Sequence, residues 1–492
     1  MTDLHPDSPD SPDSLDSPDS LGAESLLLVP DVVLTPDGPV REHAVVVSGG
    51  MFLAVAPAEQ VLREYRHLTP VRLAGHVLMP GFVDAHHHLT QSFGSALAFG
   101  EPSEIFRRVW VPLEGALDEE SAHLSAKLAA LEALRGGFTT VAEAGTRAPV
   151  DVEAVASATR DAGLRCVLGM VCGDVGVAGG DGELPADRAQ ALAAAERHLG
   201  RYAEDSLVHP SLAVPVPEAA TARTLRDTAQ LAREAGAVVQ IHVNEHLAGV
   251  ERSLLQHGLR PLEYLHDVGA LGPQLLGAHA TLLTPGEVTL LVDSGAAVSY
   301  NPVASAWKGN AVAPAMALAE RGVRFGLGTD GTRGDAFRLV EAAEFAQRIT
   351  HGLTVGDNSC GAGWTWLERA TRWGADAVGL GHRTGRIAEG MAADFLLVDV
   401  TGPEMRPSWD LPWELVRLAG RDQITAVFVA GRLRLWHGWP TDWDGPALVE
   451  QAADTGRKVV EQAAITRAHP TSVQHQAAHC RAGRRRTENG AA

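Results

Sequence analysis

Between residues 26 and 78 the chain moves in short apolar bursts, LLLVPDVVLT, AVVVSG and VRLAG, each carrying Val or Leu and each cut by Gly or Pro. Bursts of this kind bounded by turn formers predict small strands. From Pro80 to Gly381 apolar runs of strand length alternate with Ala-, Leu-, Arg- and Glu-rich stretches of helical composition. The first run ends in His86, His87 and His88; FTTVAEAG, LRCVLGMVC, LVHPSLAV, AVVQIHV, LLGAHAT, AAVSYN and VRFGLGTD follow, which makes eight. Eight strand–helix repeats over about 300 residues predict a closed parallel barrel, an α/β fold of the (β/α)8 TIM type, whose active site lies at the carboxyl ends of the strands. GRIAEGMAADFLLVDV and ITAVFVAGRLRL then return to short strands. A small β-sandwich module is therefore expected from both flanks, 26–79 and 382–440, meeting in space beside the barrel of 80–381. Residues 441–468 are expected as a C-terminal helix. Residues 1–25, which contain DSPDSPDSLDSPDS, and residues 469–492, polar and basic at Arg484–Arg486, are expected as disordered tails.

Composition narrows the function. A hydrophobic fraction of 45% and a charged fraction of 21% over 492 residues belong to an ordinary folded protein. No stretch approaches the ~18 apolar residues of a spanning helix, and the N-terminus carries no basic-then-apolar signal, so the expectation is a cytoplasmic protein without a membrane partner. The net charge of -20 argues against nucleic acid, because phosphate binding needs clustered cations. The four cysteines, Cys166, Cys172, Cys360 and Cys480, form no CxxC and read as free thiols of a reducing compartment.

Metal-competent side chains collect where the predicted strands end. The first strand supplies His86, His87 and His88, the fifth His242, Glu245 and His246, the sixth His279 and the eighth Asp330. Residues two apart on a strand share a face, so His86 and His88 point together into the barrel mouth and His87 points away. Two imidazoles on one face, a third from another strand and a carboxylate make a divalent site for zinc or iron. Alone, each residue has a plainer reading: a strand-end histidine is commonly hydrogen-bonded packing, and Asp330 after Gly-Thr can cap a helix. His87 reads as structural, and His257 and His266 as surface residues. The weight comes from joint occurrence at the ends of different strands of one barrel.

At these residues the chain resembles the amidohydrolase superfamily, in its aminohydrolase branch of heterocycle deaminases and s-triazine hydrolases, from about Leu26 to Leu435. PGFVDAHHH is similar to the first-strand HxH, IHVNE to the HxxE, and GAH and LGTDG supply His279 and Asp330. The resemblance implies His86, His88, His242 and Asp330 as ligands of one metal ion, Zn2+ or Fe2+, with Glu245, His279 and Asp330 catalytic. Binuclear members carry a bridging lysine on the fourth strand; none of Lys127, Lys308 and Lys458 is near LVHPSLAV, so one ion is expected. Many members have a Ser-Asn segment after the seventh strand where this chain has NPVASAWKGN.

The expected reaction is hydrolytic deamination of an amino-substituted nitrogen heterocycle, a purine, pyrimidine, pterin or triazine, with release of ammonia. A metal-activated water attacks the ring carbon, Asp330 takes its proton, Glu245 serves the ring nitrogen and the leaving amine, and His279 either stabilises charge or acts as a further ligand. Gln91, Trp110, Trp307 and Arg333 are candidate substrate contacts; each also reads as a loop amide, packing, or, for Arg333, an ion pair with Asp335. Two alternatives stand beside this expectation. One keeps the site but expels chloride, an alkylamine or an amide nitrogen; the other is a non-catalytic barrel scaffold. The family resemblance favours a homodimer or a higher homo-oligomer.

Overall fold

The structure is a computed structural model and describes residues 17–102, 105–175, 187–356 and 360–489. Eight parallel strands follow one another in chain order: β1 (Phe82–His87), β2 (Phe138–Glu143), β3 (Arg165–Val171), β4 (Val208–Val214), β5 (Val239–Val243), β6 (Leu275–His279), β7 (Ala297–Tyr300) and β8 (Arg324–Leu327). They curl into a nearly closed barrel. At the seam the Asp330 N–H, just past β8, donates to the His86 carbonyl on β1 at 2.8 Å. Every residue of β1 and β2 is buried, as expected of parallel strands covered on both faces, so their sequences read as near-continuous apolar runs.

The intervening helices begin and end on local chemistry. Glu119–Arg135 starts at a capping box in which Asp118 accepts from the Ser121 N–H at 2.9 Å while the Ser121 hydroxyl accepts from the Asp118 N–H at 2.9 Å. It stops at Gly136, where a Cβ would run into the Gly334 carbonyl, so only glycine permits this approach of helix end to loop. Ala222–Ala235 is capped by Thr221 and ends at Gly236 in the left-handed conformation, with φ of 65°.

A second, mixed sheet of nine strands stands apart from the barrel. Its strand Ser25–Thr35 pairs antiparallel with His43–Ser48 and parallel with Pro70–Pro80. Pro70–Pro80 in turn pairs antiparallel with Phe395–Asp399, Phe395 opposite Pro80 and Asp399 opposite His76, so the two flanks of the barrel share one sheet. Alternation along the strands separates two cores: Leu26 and Leu28 enter one, Leu27 the other. Barrel and module are joined by Arg165 on β3, whose guanidinium donates to both oxygens of buried Asp394 at 2.8 and 3.1 Å.

Both expected tails need correction where they are described. Residues 1–16 lie outside the described residues, but Pro18–Leu21 form a short 3-10 turn whose Leu21 is buried beside Leu26 and Leu28. One leucine among Asp, Ser and Pro gives no periodic signal, yet it is enough to dock a turn. At the other end, Gly445–Gln462 form a helix, and Ser472–Asn489 form another within the segment expected to be loose. That stretch is rich in Arg, Ala and Gln, all good helix formers, while lacking the apolar stripe by which an amphipathic helix announces itself. No helix of the described residues is long and apolar enough to cross a membrane.

Candidate active site

The barrel mouth gathers the strand-end side chains into one buried cluster. Donor atoms of His86, His242, His279 and Asp330 all lie within 4.8 Å of one another. His88 joins them: Asp330 Oδ1 is 3.4 Å from His86 Nε2 and 3.5 Å from His88 Nε2. Glu245, on the turn after β5, places Oε2 3.7 Å from His279 Nε2. Backbone strain concentrates here, since Asn244, His279 and Asp330 all adopt positive φ, of 51°, 73° and 55°. Left-handed non-glycine residues cost energy and persist where surrounding contacts enforce them. Those contacts are visible: Asn244 donates to Glu287 at 2.7 Å, and Thr281 Oγ1 donates to the carbonyls of Asn244 and Glu245 at 2.8 Å. At Gly328 a Cβ would strike the Asn301 and Ser299 side chains, so glycine is what lets β8 deliver Asp330 beside β7.

Hydrogen bonds set the imidazoles' tautomers. His242 Nδ1 donates to the Pro215 carbonyl at 2.7 Å, which leaves the Nε2 lone pair free for a cation. Buried His86 Nε2, His88 Nδ1 and His279 Nε2 have no hydrogen-bond partner among the described residues. The orphaned His86 and His279 nitrogens beside the Asp330 carboxylate, with His88 Nε2 3.5 Å from it, fit a divalent cation of the zinc or iron kind. His279 differs from the others. Ser299 Oγ donates to Asn301 Oδ1 at 2.7 Å, and in this orientation the Asn301 amide nitrogen donates to His279 Nδ1 at 3.2 Å. The His279 proton then sits on Nε2, which makes that atom a donor rather than a ligand. Distance groups His279 with the candidate ligands; its tautomer sets it apart.

Charge follows burial. Burial pushes His88 and His242 well below the usual imidazole value and takes His279 to about 4, so these rings are neutral near pH 7. Burial would raise the carboxyls of Glu245 and Asp330, but the His279 ring and the Lys308 ammonium beside both hold them well below the ordinary carboxylate range. Lys308 is a residue the sequence reading missed, since it sought a lysine only on the fourth strand. It ends the helix Pro302–Lys308 after β7 and places Nζ 2.8 Å from Glu245 Oε1 and 2.6 Å from Asp330 Oδ2.

The remaining candidates separate. Gln91 is buried in the turn after His88. Trp110 packs in an apolar cluster with Val109 and Leu113, and Trp307 lies against Phe99 with ring centroids 4.8 Å apart. Arg333 is 41% exposed and pairs with Asp335 at 2.9 Å. His87 donates from Nδ1 into the Asp84–Thr329 network, where Thr329 Oγ1 lies 2.8 Å away, and so braces β1 against the β8 loop.

Residues 77–434 match the model of the amidohydrolase family. The chain belongs to that family. A 5-methylthioadenosine/S-adenosylhomocysteine deaminase of Syntrophobacter fumaroxidans is 30% identical over 79% of this chain and 87% of its own length. A second so named, from Halobacterium salinarum, is 31% identical over 80% of this chain and 89% of its own. Among solved structures, an adenosine deaminase of Xanthomonas campestris with bound zinc superposes with a TM-score of 0.80 at 27% identity, covering 89% of this chain and 98% of that one. An atrazine chlorohydrolase of Arthrobacter aurescens TC1 complexed with zinc, 21% identical with a TM-score of 0.76 over 88% of this chain and 100% of that one, shares the fold. This amidohydrolase is thus a hydrolase of carbon–nitrogen bonds.

Proposed function

We propose that this amidohydrolase deaminates an adenosine-type nucleoside by hydrolysis with one divalent cation, zinc in preference to iron. The convergence of His86, His242, His279 and Asp330 within 4.8 Å, with Glu245 alongside, carries the reading. The adenosine-type relatives supply the substrate class.

His86, His88 and His242 would hold the cation through neutral nitrogens, and Asp330 would add the anionic oxygen. Bound there, such an ion lowers the pKa of a water from about 15.7 toward about 7. Asp330 would accept a proton from the attacking water. Glu245, ionised at rest, carries one proton of the attacking water to the ring nitrogen beside the reacting carbon, and the water's second proton, taken up by Asp330, is relayed to the departing amine, so the carbon–nitrogen bond breaks with ammonia as the leaving group. His279 donates from Nε2 toward the developing negative charge, a fixed dipole in a dry site. Gln91, buried beside His88, and Trp307, at the helix that carries Lys308, are proposed as contacts to the ring. Trp110 and Arg333 have weaker support, because packing and an ion pair already account for them.

The test is ammonia release from adenosine, 5′-deoxyadenosine, 5′-methylthioadenosine and S-adenosylhomocysteine by protein whose zinc and iron are measured. Turnover of at least one is expected; silence from all four in metal-loaded protein overturns the proposal. A second reading replaces the amine by chloride, an alkylamine or an amide nitrogen. The Lys308 ammonium beside Asp330 favours it, since a fixed cation stabilises a departing anion. Product analysis separates the two.

We further propose a homodimer in the cytoplasm. Phe345, Ile349 and Leu353 form an exposed apolar stripe along the helical run Ala336–Val355, suited to a second copy, and light scattering checks it. The four free thiols suit a reducing compartment.

A further inference from the structure

The deamination above gives Lys308, at the barrel mouth, no role. Its side chain is nine-tenths buried, and among the described residues its ammonium has two acceptors, Glu245 Oε1 at 2.8 Å and Asp330 Oδ2 at 2.6 Å. The helix that carries it is fixed at both ends, by Pro302 in its first turn and by Gly309 in the left-handed conformation directly after Lys308, with φ of 68°. An ammonium has three N–H donors in tetrahedral array, so two carboxylate contacts leave one donor over. A buried donor without an acceptor is costly, and that cost falls away when a ligand atom with a lone pair fills the place.

We propose that Lys308 is a substrate-contacting residue whose third N–H donates to a lone pair on the heterocycle, a ring nitrogen or a carbonyl oxygen close to the reacting carbon. The inference rests on the deaminase reading of this site and deepens it. A ring that meets Glu245 with the nitrogen it protonates, and Asp330 with its reacting carbon, lies across the ammonium that joins those two carboxylates. One of its acceptors then comes to Nζ. A C–H or an amino group at that ring position leaves the donor unpaired or opposes it, so Lys308 selects among heterocycles by their pattern of lone pairs.

The experiment is a cycle between protein and ligand atoms. Dissociation constants of adenosine and of its 1-deaza, 3-deaza and 7-deaza analogues, each with one ring nitrogen replaced by C–H, are measured on metal-loaded wild type, Lys308→Met and Lys308→Arg. Ammonia release is followed in parallel, and Lys308→Gln stands in if the methionine variant does not fold. For one analogue, wild type is expected to lose about tenfold to 100-fold in affinity relative to adenosine, the range of a charge-assisted hydrogen bond. That loss shrinks to within about threefold in Lys308→Met and is partly restored in Lys308→Arg. Equal losses for all three analogues in wild type and Lys308→Met, with adenosine still deaminated, overturn the Lys308 contact alone. If adenosine is neither bound nor deaminated, the substrate reading falls and takes this inference with it.

Discussion

Two buried charged clusters in this chain look alike in composition and differ in what surrounds them. Asp394, between barrel and module, receives both arms of Arg165, the Thr384 hydroxyl at 2.7 Å and the Ala430 N–H at 2.7 Å. Every oxygen lone pair there has a donor from the protein's own architecture. At the barrel mouth, by contrast, Asp330 sits among imidazole nitrogens that lack partners among the described residues, on left-handed backbone, beside an ammonium it shares with Glu245. Burial of charge is therefore no mark of function by itself. The mark is burial that the fold leaves incomplete, because unpaired donors and acceptors are tolerated only where a ligand completes them.

The contrast breaks first at the mouth. Asp330→Asn removes both the anionic oxygen for the cation and the proton acceptor, so activity should drop at least about 1,000-fold, since loss of a general base alone is worth about 100-fold to 10,000-fold. Metal content should fall with it, which elemental analysis after gel filtration reads. Glu245→Gln keeps the ligand set; its kcat should fall about 100-fold to 10,000-fold with metal unchanged. A fully active Glu245→Gln variant sinks the proton-shuttle role. The joint between barrel and module should answer in stability instead. Arg165→Leu leaves Asp394 buried and uncompensated, at a cost of about 3–5 kcal/mol by chemical denaturation. Folded molecules of that variant should keep their metal and their kcat. If Arg165→Leu lost turnover without losing stability, the division between architectural and functional charge would fail.

The sequence made much of this legible, for reasons that particular residues show. The eight barrel strands stand out because parallel strands buried on both faces are continuous Val, Ala and Leu runs, and the ligand candidates stand out because each follows one of them. His86 and His88 could be placed together by the two-residue repeat of a strand. Lys308 could not be placed. It lies at the end of a seven-residue helix, a position that ordinarily faces solvent, and its reach to Glu245 and Asp330 depends on how that helix packs over the mouth. Asn301, which fixes the His279 tautomer, is equally silent in sequence, since only the pairing of β6 with β7 brings the two together. Trp110 is the converse: an aromatic near a site draws notice, and its neighbours Val109 and Leu113 suit the packing reading that the sequence also carried.

A smaller effect sharpens the comparison at a third buried carboxylate. Glu101 accepts from Arg108 at 2.6 Å, from Arg467 at 3.0 Å and from the backbone N–H groups of Ala468 and His469 at 2.7 and 3.2 Å, so it pins the start of the C-terminal segment to the loop after β1. Burial opposes its charge, yet these donors take its pKa from 4.5 to about 2. A carboxyl depressed in the folded state holds its contribution above the unfolded value and loses it as pH falls through the folded one. Docking of residues 463–471 should thus be complete above about pH 4.5 and weaken toward pH 2. Hydrogen exchange of that segment, measured across this interval against the barrel strands, reads the release directly. Glu101→Gln should loosen the same residues already at pH 7 while leaving the mouth, and hence metal content, untouched. Like Asp394 and unlike Asp330, Glu101 has donors for both of its oxygens, so its loss should cost local order and no chemistry.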